Sequence, residues 1–245
     1  MRDVAKVLQL RYDISPFLMH LTRDTNGRSA RRNLRSILRS MTLKYGTKPI
    51  SDAKFRFSIY DLDNEKKLAY FSAVSFTETP LGEIHNLLEI GGRRIDLKPY
   101  GLVFLKERLK KKGVSPVIYI NNMKGDKDKM VEALCSLIET HKRQASRILP
   151  LIAVFGKFLS PLGGSAQNRE IDFTWEREWR YASRNRCFGF DQRDVFIGLC
   201  PDQEIGKFES QFGWLHFIDP RQNMKWYAES LLTAKKRSRL KYAVI

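Results

Sequence analysis

Cysteine is scarce in this sequence. Cys135, Cys187 and Cys200 are the three present, far apart and without a CxxC spacing. That excludes a zinc ribbon and a disulfide framework, and it fits free thiols in a reducing compartment. Long apolar runs are missing as well. Ile148 to Leu162 comes closest to a membrane span, but it is too short and Lys157 interrupts it. The first residues, Met1 to Arg11, lack the apolar core of a signal peptide. A soluble, cytoplasmic protein without membrane contact is the expectation. Histidine is thinly spread, at His20, His85, His141 and His216, so no His-rich metal site is encoded locally and none is assigned. There is no P-loop, no dinucleotide fingerprint of glycines, no HExxH and no Gly-x-Ser-x-Gly elbow. Acidic residues are in deficit: 27 Asp and Glu stand against 44 Lys and Arg, a formal charge of +17. Such an excess serves binding to a polyanion more than it serves folding.

What is present fits a folded chain. Of the 245 residues 42% are hydrophobic and 11% aromatic, enough for a sizeable core. No repeat or Pro/Ser-rich linker divides the sequence, which predicts a single domain over residues 1–234 and a basic tail over 235–245. Strands are predicted at Phe17–Arg23, Phe55–Tyr60, Leu68–Thr77, Tyr100–Leu105, Ser115–Ile120, Phe173–Ala182, Asp194–Leu199 and Trp214–Ile218. Helices are predicted from Ser29, as N-cap, to about Met41, at Glu83–Ile90, Lys106–Lys112, Asp126–Leu149 and Pro201–Phe212, and from Asp219-Pro220 to Ala234. Leu151–Leu159 is apolar and of open type. The two kinds of element do not alternate regularly. The fold class is therefore α+β, a mixed and largely antiparallel sheet with flanking helices.

Two features carry charge in an ordered way. Arg28, Arg32, Arg35 and Arg39 repeat at helical spacing with no acidic residue in the helix to balance them. They are candidates for phosphate contact, as are Lys110, Lys111 and Lys112. A solvated face is the ordinary alternative. The second feature is Phe-Thr-Trp-Glu-Arg-Glu-Trp-Arg-Tyr-Ala over 173–182. On a strand, Glu176, Glu178 and Arg180 share one face, so that face is either solvated with cross-strand ion pairs or aimed into a site. Glu170 and Asp172 lie close by, which keeps a metal-dependent nuclease among the readings. Near the N-terminus, His20 and Thr22 share a strand face at its polar end, where they could hydrogen-bond a ribose or an amide, or serve structure alone.

The stations His20-Leu-Thr22, Asn33-Leu-Arg-Ser-Ile-Leu38, Ser75-Phe-Thr-Glu-Thr-Pro-Leu81, Tyr100-Gly-Leu-Val-Phe-Leu-Lys-Glu107, Ser115-Pro-Val-Ile-Tyr-Ile120 and Glu176-Arg-Glu-Trp-Arg180 follow one another in an order that resembles the AbiGi family of abortive phage-resistance proteins. That resemblance implies anti-phage defence, with a toxin or antitoxin as possible partner. The early His-x-Thr strand and late strand Glu also look like the DarT-type ADP-ribosyltransferases, which modify bases in DNA. This second resemblance implies an ADP-ribosyltransferase-like fold with NAD as substrate and nucleic acid, or a protein, as acceptor. His20, Thr22 and Asn33 would then hold NAD, and Trp175, Tyr181 or Phe76 would stack on nicotinamide or a base. For the family's middle arginine this sequence offers Arg56. Glu178 would be catalytic, stabilising the ribosyl cation as nicotinamide leaves or deprotonating the acceptor, with Glu176 as the close alternative. The charge pattern alone does not separate the two glutamates. A non-enzymatic nucleic-acid-binding or antitoxin component that keeps the fold without the chemistry is the rival reading.

Overall fold

The computed structural model describes residues 14–25, 27–45, 72–89, 96–122, 129–158, 169–171, 174–182 and 185–240. In chain order these form β1 (Phe17–Leu21), α1 (Ala30–Ser40), β2 (Thr42–Lys44), β3 (Val74–Thr77), α2 (Ile84–Glu89), β4 (Gly101–Leu105), α3 (Lys106–Lys111), β5 (Ser115–Pro116), β6 (Ile118–Asn122), α4 (Lys129–Thr140), α5 (Lys142–Ile148), β7 (Ile152–Phe158), β8 (Arg169–Ile171), β9 (Glu178–Tyr181), β10 (Cys187–Gly189), β11 (Val195–Leu199), α6 (Ile205–Gln211), β12 (Phe217–Ile218) and α7 (Ala228–Ser238). The chain divides into two compact units. The first holds residues 1–43, 76–113 and 189–245, and the second 44–75 and 114–188. The class is α+β with a largely antiparallel sheet.

In the first unit the strands run in the order β12-β11-β4-β1-β3. β4 pairs antiparallel with β1, from Phe17 opposite Leu105 to Leu21 opposite Gly101, and β1 pairs antiparallel with β3. β11 runs antiparallel to β4 and parallel to β12, so β11, α6 and β12 make a crossover unit. β1, β4 and β11 are buried along nearly their whole length, so both faces of this part of the sheet are covered. One face packs Phe17, Met19, Leu21, Val103 and Leu105 against Ile84 and Leu87 of α2 and Leu231 and Ala234 of α7. A bulge between Val195 and Ile197 breaks the alternation of β11, which lets Phe196 and Ile197 both join that cluster. α1 buries Ala30, Leu34 and Leu38. Its start at Ser29 is as the sequence predicts: the Ser29 hydroxyl accepts from the Arg32 amide at 3.4 Å.

In the second unit β6 and β7 pair in parallel over five residues, β8 adds antiparallel to β7, and β5 pairs with β9. The apolar segment of open type after Pro150 is thus a strand. The long helical pattern 126–149 is realised as two helices, broken at His141, whose φ of −134° is not helical.

The structure departs from the sequence expectations at three places. The stretch 173–182 is not one strand. Thr174–Glu176 is a turn of 3-10 helix, Arg177 takes a left-handed φ of 44°, and only Glu178–Tyr181 is extended. Glu176 and Glu178 therefore do not occupy alternate positions of one strand face. Asp219 does not cap the last helix. It sits in a turn after β12, and the helix begins at Ala228 behind a 3-10 turn at Met224–Tyr227. The same helix runs on to Ser238, taking in Lys235, Lys236 and Arg237 that composition assigns to a tail. Arg237 explains the extension: its guanidinium donates to the carbonyls of Trp214, Val195 and Phe196, which ties the last turn to β11.

Candidate functional site

β1 and β11 point the same way, so the end of β1, the start of β4 and the ends of β11 and β12 share one end of the first unit's sheet. Ligands tend to bind outside the carboxyl ends of parallel strands in such units, where loops diverge. The loop from β1 to α1 is heavily braced there. Thr22 is buried, and its hydroxyl lies 3.0 Å from the carbonyl oxygens of both Ala30 and Tyr100. Its amide donates to Tyr100 at 2.7 Å. Asp24 Oδ1 accepts from the Ala30 amide at 2.7 Å, and Asn33 Nδ2 donates to the Arg23 carbonyl at 2.8 Å. Thr25 and Arg28 exchange backbone hydrogen bonds around Gly27, whose φ of 72° closes the turn. An open cleft of about 390 Å³ beside this turn is lined by Asp24, Thr25, Gly27, Arg28 and Ser29.

Of the residues that the expected transferase resemblance assigns to NAD, Thr22 and Asn33 both spend polar groups on backbone carbonyls. His20 is half-buried, its ring edge-on to Phe76 with centroids 6.0 Å apart. Phe76 is buried and continues through Phe104 to Phe190 as a chain of edge-to-face aromatics. Arg56 lies outside the described residues, as does Asp172.

The carboxylate pair expected for catalysis belongs to the second unit. Arg180 is 2% exposed and grips Glu178 with both arms, Nε to Oε1 at 2.9 Å and Nη2 to Oε2 at 2.7 Å. Its remaining nitrogen, Nη1, donates to the carbonyls of Pro150 and Ile152. The Glu178 amide donates to the Tyr119 hydroxyl at 2.7 Å. Burial pushes that phenol up to about 12, helped by the charges of Glu178 and Glu176, although the hydrogen bond from the amide works the other way. Glu178 is thus one half of a forked, solvent-poor ion pair that anchors β9 to the turn before β7. Among the described residues no group of three or more His, Cys, Asp or Glu is placed to hold a metal ion.

The basic candidates divide. Arg28, Arg32 and Arg39 are exposed. Arg35 is half-buried with its guanidinium 5.3 Å from the centre of the Phe208 ring. Lys110 pairs with Glu107, and Lys112 pairs with Asp194 at 2.5 Å and Asp191 at 3.5 Å. Lys111 is exposed.

Three polar clusters have no counterpart in the sequence reading. Tyr100 donates to Glu204 at 2.9 Å while Arg31 meets the other oxygen of Glu204 at 2.5 Å. Burial first, and then the Glu204 bond, pushes the Tyr100 phenol up to about 12. Asp219, fully buried, accepts two bonds from the Arg221 side chain, one from its amide and one from the Asp202 amide. Lys106 and Glu78 form an ion pair at 2.9 Å with both side chains largely buried. Both lie inside the ordered motifs quoted above, which is the signal that could have found them.

A family model described as "Putative abortive phage resistance protein AbiGi, antitoxin" matches residues 58–192, more than half of the chain. Glu78, Lys106, Glu178 and Arg180 fall inside that match; His20, Thr22 and α1 precede it. No curated protein and no solved structure matches.

Proposed function

The chain belongs to the AbiGi family, and from that membership we propose that it serves abortive anti-phage defence as a binding component, an antitoxin that restrains a partner, without chemistry of its own. One observation carries the second half of this reading. The carboxylate that a transferase would need free, Glu178, is held at both oxygens by the buried Arg180. A catalytic carboxylate must be able to face a developing positive charge on substrate, and this one already faces a guanidinium. The commitment of Thr22 and Asn33 to backbone carbonyls supports the same reading.

The test is inducible expression of the chain alone in bacteria, with labelled NAD added to the purified protein and lysate. An antitoxin component leaves growth unchanged and transfers no label to nucleic acid or protein. Growth arrest and label transfer that are both lost in a folded Glu178→Gln variant would overturn the proposal in favour of an ADP-ribosyltransferase.

A further inference from the structure

α1 carries four arginines in eleven residues and no acidic residue. The structure sorts them by task. Arg31 is paired with Glu204 and Arg35 lies over Phe208, both groups of the first unit. Arg32 and Arg39, with Arg28 in the preceding turn, are exposed, and among the described residues no carboxylate pairs with any of the three. Elsewhere in this unit Lys106, Arg108, Lys110, Lys112 and Arg221 have acidic partners, while the exposed Lys111, Lys207, Lys225, Lys236 and Arg239 have none among the described residues but are not lined up on one helix face with α1's regularity. Arg32, Ser36 and Arg39 stand four and three residues apart, so they share one face, with the backbone positions of the two arginines about 10 Å apart along the axis. All three are on the outer side, since Ala30, Leu34 and Leu38 take the inner one.

We propose that this outer face of α1, with Arg28 at its entry, is a sequence-independent contact surface for the phosphate backbone of duplex DNA. Three alternatives fit less well. A helix lying on a membrane inserts apolar side chains, and none of the large exposed hydrophobics, Ile118, Met130, Ile148, Trp226 and Leu232, is on α1. A protein interface needs a desolvated apolar centre, which this face lacks for the same reason. A single strand is held by aromatic stacking platforms, and α1 has no aromatic residue. What remains on the surface is guanidinium and hydroxyl, the groups that bind phosphate oxygens. B-form DNA presents about one charge per 1.7 Å of axis, and its major groove is about as wide as a helix. A-form duplexes close that groove. The inference stands independently of whether the chain restrains a toxin.

Fluorescence anisotropy of a labelled random-sequence DNA duplex, titrated with the full chain over a series of salt concentrations, tests it. Binding is expected to weaken steeply with salt. Replacing Arg28, Arg32 and Arg39 together by Gln should weaken it at least about tenfold and lower the log–log salt slope by about 2.7, three phosphate contacts at about 0.9 each. Circular dichroism should show an unchanged fold, since these side chains are exposed. A second variant removes equal charge elsewhere, at Lys225, Lys236 and Arg239, all exposed; it should bind nearly as the parent does. Equal loss in both variants would mean diffuse charge attraction and overturns the proposal. So would tighter binding to a single strand or to duplex RNA of the same length, or no binding at all.

Discussion

Arg180 shows how much one residue can be asked to do. All three of its guanidinium nitrogens have partners in the second unit, two on Glu178 and one on the carbonyls of Pro150 and Ile152. Truncating one member of a buried ion pair leaves the other charge unpaired, at about 3–5 kcal/mol. Arg180→Met should therefore lower the urea midpoint sharply, and adding Glu178→Gln to it should recover part of the loss. If Arg180→Met is as stable as the parent, the pair does not anchor β9. The order Glu-Arg-Glu-Trp-Arg was visible in sequence as a charged face, with Arg180 beside Glu178 on it. That the neighbour closes off the carboxylate depends on carbonyls about thirty residues earlier, which no local pattern reveals.

At the scale of elements, β11 and β12 are held together by a missing side chain. Gly198 lies against the ring of Phe217, and a Cβ there would run into the ring. Gly198→Ala forces the ring or the strand to move, and overpacking of this kind costs about 1–3 kcal/mol. Gly189→Ala is the control, since nothing lies within 4 Å of its added carbon. Chemical denaturation should separate the two; equal stabilities would show that the ring yields freely. Periodicity and caps made α1 and β4 legible nearly to the residue, because each obeys its own local rules. The stretch 173–182 misled because alternation of aromatic and charged residues is also met by a 3-10 turn followed by a left-handed residue, and the choice between them is made by the partners of β9. Asp219-Pro220 misled in the same way: it has the chemistry of a helix start, yet the Asp219 carboxylate is worth more as the buried acceptor for Arg221 and Asp202.

For the molecule as a whole, stability should fail on the acid side. Burial alone would raise the carboxyls of Asp219 and Asp191. For Asp219 the hydrogen bonds from Arg221 and the Asp202 amide outweigh it. For Asp191 the Arg193 amide and the charges of Lys112, Arg193 and Arg108 do so. Both are thus held below the ordinary carboxylate range when folded. Groups shifted in that direction contribute fully above their unfolded value and lose the contribution as pH falls through the folded one. The thermal midpoint should be flat through neutral pH and drop below about pH 4; in a variant with Asp219→Asn the drop should be shallower from a lower starting point. An unchanged acid limb in that variant would remove Asp219 from the account. The sequence by itself determined the α+β class, the basic excess, the positions of most elements and the family, because composition, periodicity and ordered motifs are local properties of the chain. Only the tertiary structure decided which charges are spent internally and which face outward. Arg31, Lys112 and Arg180 look no different in sequence from Arg32, Lys111 and Arg39. They differ because the fold brings a carboxylate to the first three, and among the described residues brings none to the others.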